Sequence, residues 1–377
     1  MGKKIAIIGA NEPLYSFYKQ AYDLGYEIYG FAWEEGAVCK KFCKEFFPIN
    51  FTEKEKILNI CKEIGIDGIT SFSLESALPT VIYVAEKLGL KQNTINSLKY
   101  IRDKYTMREA MKKNNLPIPE FFCIKEEKEL DALKIKYPVI VKPVDNGGKN
   151  GVSLITGEKE LHKAFNYAMK NSKEGSVLIE KYIEGREFSV EYISFEGKHY
   201  FLQLTDKVNT GAPHFVEIEH HQPANVTKLE LEKIKNITEK TLTALHITNS
   251  VSHTELKINP EGEVYLIEVG PRLGGDSITS DLVRLSTGID LVLESLKLST
   301  GDFKPIEQQN IAYASKYYYV PGKEWIIDLI KQNRTYIYDV NREIKNEMPL
   351  SNGDRSAWVI CVNKDKRVNK ENYLELE

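Results

Sequence analysis

The 377-residue sequence lacks three features that would each assign it to a class of proteins. The 54 Asp and Glu residues nearly balance the 51 Lys and Arg residues, so the basic excess of a dedicated nucleic-acid-binding protein is absent. No apolar run approaches the ~20 residues of a membrane-spanning helix. The N-terminal MGKKIAIIGA has too short an apolar stretch for a secretory signal peptide. We therefore expect a cytoplasmic protein that binds neither nucleic acid nor membrane.

Paired cysteines are also missing. The five cysteines are scattered, none forms C-x-x-C, and their odd number favours reduced thiols. Cys39 and Cys43 are four residues apart, but no Cys or His pair follows at zinc spacing, so we expect no zinc site there. His220 and His221 are adjacent on a predicted strand and should point to opposite faces, which argues against a zinc pair.

The composition is that of a soluble globular protein, with 42% apolar and 28% charged residues. Over about the first 95 residues, apolar strands such as KIAIIG at 3–8 alternate with helical patterns, which predicts a doubly wound parallel α/β domain. Only Gly9 lies in the first turn and G-x-G-x-x-G is absent, so a plain turn is favoured over a dinucleotide site.

Beyond residue 100 the pattern changes to short strands, hairpins and isolated helices, which predicts α+β units. One helix is predicted over 96–114, another over 276–286, and a hairpin over 253–270 turns at the sequence NPEG. We predict four units: an N-terminal α/β domain at 1–98, a small subdomain at 99–185, a large subdomain at 186–304, and a β-rich C-terminal α+β lid at 305–377.

A lysine and a glycine-rich loop form the first candidate site. Lys142 ends a predicted strand, and Gly147, Gly148, Lys149 and Gly151 follow in a loop. Glycines let backbone N–H groups wrap an anion, and the lysine ammonium adds a charge, so the pattern is compatible with triphosphate binding as well as with an ordinary hairpin loop.

A strand that runs into a linker forms the second candidate site. The segment Glu180, Lys181, Tyr182 and Ile183 could present backbone groups to an adenine edge. Glu187, seven residues after Glu180, could accept hydrogen bonds from ribose hydroxyls. A solvated surface turn is the alternative.

Two glutamates on facing strands form the third candidate site. Glu255 and Glu268 flank apolar residues, and two close carboxylates repel unless they share a cation, for which Mg²⁺ is suited. Arg272 follows, ready for a phosphate or carboxylate charge. Gly274 and Gly275 precede a predicted helix and offer backbone donors to an anion. A charged hairpin and turn is the alternative.

Taken together, the three candidate sites follow one another in the order Lys–glycine loop, Glu-x₆-Glu and Glu-x₁₂-Glu-x₃-Arg. This order resembles the ATP-grasp family of carboxylate–amine ligases, and the resemblance is strongest over 100–300. The resemblance implies Lys104 and Lys142 on the phosphates, residues 147–151 as a lid, 180–183 as the adenine hinge and Glu187 on the ribose. It further implies ATP as cofactor, with Glu255 and Glu268 on Mg²⁺. Two ions are expected, and Mn²⁺ is an acceptable substitute.

Within the family, HFVEIEH at 214–220, HTE at 253–255 and EVGPRLGGD resemble the L-amino-acid (dipeptide) ligases. That resemblance implies Glu217 and His220 in the amino-acid site, with Arg272 on the acyl phosphate or a substrate carboxylate. Asp276 would set pocket size or favour a cationic or polar side chain. The sequence departs from the family at Gly270, where most members carry an Asn metal ligand.

The implied reaction is ATP-dependent joining of a carboxylate to an amine through an acyl phosphate, with ADP and phosphate as products. The expected partners are the small-molecule substrates and, as the assembly to test, a second copy of the chain. Two alternatives stay open. One is a biotin-carboxylase, carbamoyl-phosphate or purine-biosynthesis type of enzyme that acts on bicarbonate or formate, and the other is a nucleotide-binding regulatory protein without turnover.

Overall fold

A computed structural model describes residues 2–146, 150–332, 334–345 and 347–376. Within these residues the strands form three sheets, one parallel and two antiparallel, of four, four and eight strands. The predicted fold class, a parallel α/β domain followed by a two-part α+β region, is confirmed.

The first sheet is parallel and has the strand order β3-β2-β1-β4. Its strands are β1 Lys4–Ile8, β2 Glu27–Ala32, β3 Glu45–Pro48 and β4 Gly68–Thr70, and its helices are α1 Tyr15–Asp23, α2 Lys54–Ile64 and α3 Leu78–Leu88. After Lys4, the strand β1 is apolar and completely buried, as expected for a parallel strand covered on both faces.

The helix predicted over 96–114 is in fact two helices, α4 Leu98–Arg102 and α5 Lys104–Lys113. They are separated by Asp103, which has an extended backbone (φ −127°, ψ 110°) and accepts a hydrogen bond from the Thr106 backbone N–H at 2.6 Å. An Asp at this position caps a new helix, because its carboxylate satisfies an N–H that has no partner within the helix. The break places Lys104 at the first position of α5.

The second sheet is small and antiparallel, with the order β5-β8-β6-β7. Its strands are β5 Phe121–Ile124, β6 Val139–Pro143, β7 Ser153–Ile155 and β8 Val177–Lys181, and the helix α6 Leu161–Lys170 packs on it. Residues 147–149, which lie between β6 and β7, are outside the described residues, so the predictions for Gly147, Gly148 and Lys149 stay predictions.

The third sheet has eight strands in the order β13-β12-β9-β10-β11-β14-β16-β15. The strands are β9 Arg186–Phe195, β10 Lys198–Asn209, β11 Glu217–Gln222, β12 Ser250–Ile258, β13 Val264–Gly270, β14 Tyr313–Tyr318, β15 Ile337–Asn341 and β16 Trp358–Asn363. The helices in this part of the chain are α7 Lys228–Ala244, α8 Val283–Thr287, α9 Leu291–Ser299 and α10 Glu324–Lys331. The strand β14 pairs with β11, β16 pairs with β14, and β15 pairs with β16, so the chain beyond 305 extends the large sheet. The predicted domain boundaries remain predictions.

The helix predicted over 276–286 begins later than expected. Asp276 and Ser277 both have left-handed backbones (φ 57° and 65°), which a right-handed helix excludes. A π-helical turn at Ile278–Leu282 then leads into α8. Asp276 and Ser277 therefore lie in a turn that precedes the helix and are not part of it.

Two contacts join the α5 region to the large sheet. Arg108 of α5 donates from Nη2 to the Ile267 carbonyl at 2.6 Å, and the Leu266 N–H donates to the Pro117 carbonyl at 2.9 Å. The end of β13, where the third candidate site begins, is therefore held against α5. No helix among the described residues has both the length and the apolar character needed to cross a membrane.

Candidate active site

A buried ion network joins α5 to the small sheet. Glu180 on β8 is paired with Lys142 on β6 and, at 2.5 Å, with Nε of Arg108. All three side chains are almost completely buried. Burial raises the pKa of Glu180, but the charges of Arg108 and Lys142 outweigh it and lower that pKa to about 2. Glu180 is therefore ionised and holds the Lys142 ammonium in place.

The predicted hinge and the predicted ribose residue lie next to each other. The chain leaves the small sheet at Lys181 and enters the large sheet at Arg186, so 181–185 connects the two. Lys257 on β12 donates to the Ile183 carbonyl at 3.3 Å, and its Nζ lies 4.0 Å from a Glu187 oxygen. The same oxygen, Oε2 of Glu187, accepts a hydrogen bond from Nδ2 of Asn209 at 3.1 Å.

Glu255 and Glu268 face each other across the β12–β13 hairpin, as predicted, and each already has a lysine partner. Lys207 on β10 lies 2.7 Å from Glu255, and Lys104 lies 3.0 Å from Glu268. The Lys207 ammonium lowers the pKa of Glu255 well below its usual range, against the opposing effect of burial. Burial raises the pKa of Glu268, but the charges of Lys104 and Lys142 outweigh burial and lower that pKa. Both carboxylates are therefore ionised and lie opposite each other on adjacent strands, and such oxygen donors suit Mg²⁺.

A buried histidine–glutamate pair, His253 and Glu191, lies next to Glu255. His253 binds Glu191 on β9 through Nδ1 at 2.7 Å, and its Nε2 lies 3.6 Å from Glu255. Burial lowers the pKa of His253, but the two carboxylates outweigh burial and raise it to about 9. The imidazolium is therefore a second fixed positive charge beside Glu255. A Cβ atom at Gly274 would lie 2.6 Å from Nδ1 of His253, so glycine is required there.

The predicted substrate residues Glu217, His220 and Asp276 come together. Their ligand atoms all lie within 4.8 Å of one another, with Nε2 of His220 3.7 Å from Glu217 and 3.4 Å from Asp276. Lys207 lies 3.1 Å from Glu217 as well as 2.7 Å from Glu255. One lysine thus links the predicted substrate residues to the predicted metal ligands.

The guanidinium of Arg272 lies over Gly270, at the end of β13. A Cβ atom at Gly270 would lie 3.2 Å from Cζ of Arg272, so Arg272 occupies the space into which a side chain at 270 would project. Nε of Arg272 lies 3.6 Å from Glu75, which follows β4 of the parallel sheet. Burial, and then the negative charge of Glu268, raise the pKa of Glu75. The parallel sheet therefore contributes a carboxylate to this site.

The two remaining glycines of the predicted sites have different surroundings. Gly151 has a left-handed backbone (φ +78°), and a Cβ atom there would lie 2.8 Å from Cβ of Asn171. A Cβ atom at Gly275 would have no neighbour within 4 Å among the described residues, so the chain is open on that side. The loop that begins at Asn146 is also tied to the site, because Lys104 donates to the Asn146 carbonyl at 3.1 Å.

Sequence reasoning assigned no role to several residues that hold the site. They are the cations Arg108, Lys207 and Arg355 and the carboxylates Glu75 and Glu191. Glu75 had a usable signal, because it follows a strand of a parallel sheet, and ligands bind at the carboxyl ends of such strands. The other four lie within helices, strands or a distant loop, and only the folded chain brings them to the site.

Residues 135–281 match the family model described as an ATP-grasp domain. The chain carries an ATP-grasp domain. Its fold extends beyond the matched residues, since the L-amino acid ligase of Bacillus licheniformis superposes with a TM-score of 0.82 over 99% of this chain and 95% of that one. The two sequences are 24% identical, so the likeness establishes the fold.

Curated relatives of this chain are longer. An uncharacterised protein of Sinorhizobium fredii is 25% identical over 277 residues, which cover 71% of this chain and 56% of the relative. The carbamoyl phosphate synthase large chain of Saccharolobus islandicus is 27% identical over 278 residues, which cover 70% of this chain and 26% of that protein. The chain therefore spans about half the length of the Sinorhizobium fredii protein and about a quarter of the length of the carbamoyl phosphate synthase large chain.

The Arg108–Glu180–Lys142 network predicts a pH-dependent loss of stability. At pH 7, Glu180→Gln should lower the free energy of unfolding by about 3–5 kcal/mol, because two buried cations lose their carboxylate. The pKa of Glu180 is lowered from 4.5 to about 2. Its stabilisation is therefore complete above the usual carboxyl pKa and is lost as the pH falls toward 2, so the two proteins should converge over that interval.

Urea denaturation at a series of pH values measures this effect. Glu34→Gln is the matched control, because Glu34 pairs with Lys40 on the surface and should contribute less than about 1 kcal/mol. A Glu180→Gln protein as stable as the control, or a difference that does not change below pH 4.5, would contradict the prediction.

Proposed function

We propose that the protein is an ATP-dependent ligase that joins the carboxylate of an amino acid to an amine through an acyl phosphate. The observation that carries this proposal is the position of Lys207, 2.7 Å from Glu255 and 3.1 Å from Glu217. It sets an ammonium-binding carboxylate directly beside the carboxylate pair suited to a metal ion. A substrate held there has its own carboxylate within reach of a nucleotide's terminal phosphate.

The proposed nucleotide site lies between the two antiparallel sheets. Lys142, fixed by Glu180, and Lys104, which contacts the start of the 147–149 loop through Asn146, carry the positive charge for the phosphates. The backbone of 181–183 would bind the adenine, and Glu187 would accept from the ribose hydroxyls. Lys257 holds the Ile183 carbonyl and stands beside Glu187, which supports a single site for both.

Glu255 and Glu268 are the residues that would hold Mg²⁺. Their facing positions, their ionised state and their oxygen donors fit a hard divalent cation. When bound, the ion would neutralise phosphate charge during transfer. The chain supplies further positive charge of its own from Lys104, Lys207 and protonated His253, each within 3.6 Å of one of the two carboxylates.

In the first step, an oxygen of the substrate carboxylate attacks the γ-phosphorus, and the bond to the β-phosphate oxygen breaks to release ADP. In the second step, the amine nitrogen attacks the acyl carbon, the bond to the phosphate oxygen breaks, and the amine loses a proton. Both steps spread negative charge, so catalysis depends on positioned cations. We assign that role to Lys142 and Arg272, with Lys104 in support.

An amino acid fits the pocket better than bicarbonate or formate does. Glu217 can accept from an α-ammonium group, and Arg272 can pair with a carboxylate. Bicarbonate and formate present no ammonium, so Glu217 and His220 would have no function toward them.

The deciding experiment is phosphate release from ATP and Mg²⁺ with a panel of amino acids, alone and in pairs, and with bicarbonate or formate. Release that requires an amino acid and an amine supports the ligase. Release with bicarbonate and with no amino acid favours the carboxylase-type alternative, and binding of ATP without release favours the regulatory protein.

Glu268→Gln tests the proposed metal ligands. We expect ADP formation to fall by at least about 100-fold, because a charged ligand is replaced by a neutral one. Thermal unfolding with and without Mg²⁺ gives a second measurement, since the stabilisation by Mg²⁺ and ADP should also be lost. Glu263→Gln, on the exposed turn of the same hairpin, is the control. Unchanged turnover of Glu268→Gln at ordinary Mg²⁺ concentration would rule out the assignment.

Glu217→Ala tests the proposed ammonium site. We expect the KM for the amino acid to rise by about 10–100-fold, the effect of losing one charge-assisted hydrogen bond, and the KM for ATP to change little. Steady-state kinetics with each substrate varied separately measures both. Glu217→Asp, which keeps the charge, should recover part of the loss. Equal changes in the two KM values would point to a general disturbance of the site.

A further inference from the structure

The C-terminal part of the chain reaches back to the substrate pocket through a short segment at 351–355. Glu217 is held there on both of its backbone groups. Its N–H donates to Oδ1 of Asn352 at 3.0 Å, and its carbonyl accepts from Nη1 of Arg355 at 3.0 Å. The strand that carries Glu217 and His220 is therefore fixed by a segment more than 130 residues away in sequence.

Arg355 also forms a two-point ion pair with Asp276. Nη1 lies 2.9 Å from Oδ2 and Nη2 lies 2.6 Å from Oδ1, so the guanidinium faces the carboxylate edge to edge. The guanidinium stacks on Tyr318, with Cζ 4.0 Å from the ring centroid, and the Tyr318 hydroxyl donates to Asp276 at 3.2 Å. The Arg355 side chain is only 8% exposed. Such a bidentate, stacked and buried arginine cannot be replaced by lysine without loss.

The charge of Asp276 is thereby matched inside the pocket. Lys316, on the neighbouring strand, donates to Ser277 at 2.9 Å, so its ammonium is directed to that hydroxyl. Lys207 is divided between Glu217 and Glu255. His220 also contacts Asp276, with Nε2 3.4 Å from Oδ2, but an imidazole is charged only when it is protonated. Arg355 is therefore the permanently charged partner of Asp276 among the described residues, and the ligand atoms of Asp276, Glu217 and His220 lie within 4.8 Å of one another.

We propose that Arg355 is a specificity-determining residue, which neutralises Asp276 and so restricts the pocket to substrates with an uncharged side chain. This inference rests on the proposed function, because it takes an amino acid as the ligand. Without the guanidinium, Asp276 would keep only His220, at 3.4 Å, and the Tyr318 hydroxyl, at 3.2 Å, as side-chain partners among the described residues. Its carboxylate would lack a permanent cation and would be available to a substrate side chain, beside the carboxylate that receives the α-ammonium. A cationic side chain would then be favoured.

Lysine and norleucine are the probes, because they share the α-amino acid part and the side-chain length and differ in the terminal ammonium. Calorimetric titration in the presence of Mg²⁺ and a nonhydrolysable ATP analogue gives both dissociation constants. For the native protein we expect norleucine to bind at least as tightly as lysine. In Arg355→Gln the ratio of affinities, lysine over norleucine, should rise by about tenfold or more, the effect of one new charge pair.

Two further variants separate the charge of Arg355 from its effect on the fold. Arg355→Gln/Asp276→Asn should return the ratio to its native value, because the carboxylate is gone. Arg367→Gln is the matched control. Arg367 also lies in the C-terminal part and ties it to the large sheet through Asp206 and the Pro223 carbonyl, so the ratio should not move.

Asp276→Asn alone keeps the inference testable if Arg355→Gln does not fold. It leaves Arg355 without its carboxylate, so glutamate should gain about tenfold over glutamine. If neither variant changes its ratio, the inference is overturned. The proposed function fails separately: a native protein that binds amino acids and releases no phosphate with any of them is not a ligase, whatever the ratios are.

Discussion

Pairing of buried charges is the constraint on which this structure depends. Removing a carboxylate or an ammonium from water costs several kcal/mol unless a partner of opposite charge is in contact. The site meets this requirement with pairs of opposite charge that extend from the small antiparallel sheet and α5 to the large sheet. Glu180 pairs with Lys142 and Arg108, and Glu268 pairs with Lys104. Lys207 pairs with both Glu255 and Glu217, and Arg355 pairs with Asp276. Each pair brings a different part of the chain to the same place.

This pairing of opposite charges also bears on the lysines and arginines of the site, where a polyanion is expected to bind. A nucleotide triphosphate and a metal ion add charges of both signs, and a site whose own charges are already matched can accept them with small shifts of lysine side chains. Lysine suits such a role, because its ammonium sits on a flexible stem. Arginine is found instead at two positions where one side chain contacts both a carboxylate and a backbone carbonyl. Arg108 bridges Glu180 and the Ile267 carbonyl, and Arg355 bridges Asp276 and the Glu217 carbonyl.

The sequence was sufficient to place residues on paired strands, but not to give their register. Glu255 and Glu268 could be placed on facing strands because a single hairpin joins them. The register next to the NPEG turn, which pairs Ile258 with Val264, would place Ile267 opposite Glu255, but an irregularity between Glu255 and Leu256 brings Glu268 there instead. Asp103 could not be recognised as a helix break by hydrophobic spacing alone, since the apolar positions continue through it. Lys207 and Arg355 could not be assigned at all. One is an alternating residue of a long strand and the other follows a loop, and their partners are 10 to 138 residues away in sequence.

Gly270 and Arg272 are best understood together. The volume that a side chain at 270 would fill is taken by the Arg272 guanidinium, whose Cζ, Nε and Cγ would all lie 3.2–3.4 Å from a Cβ atom there. An asparagine at 270 would thus compete with Arg272 for one space beside Glu268. Arg272 is turned in this position toward Glu75, a carboxylate from the parallel sheet. The glycine therefore does more than remove a donor oxygen: it allows an arginine to lie against the end of β13 and to connect the N-terminal sheet to the carboxylate pair.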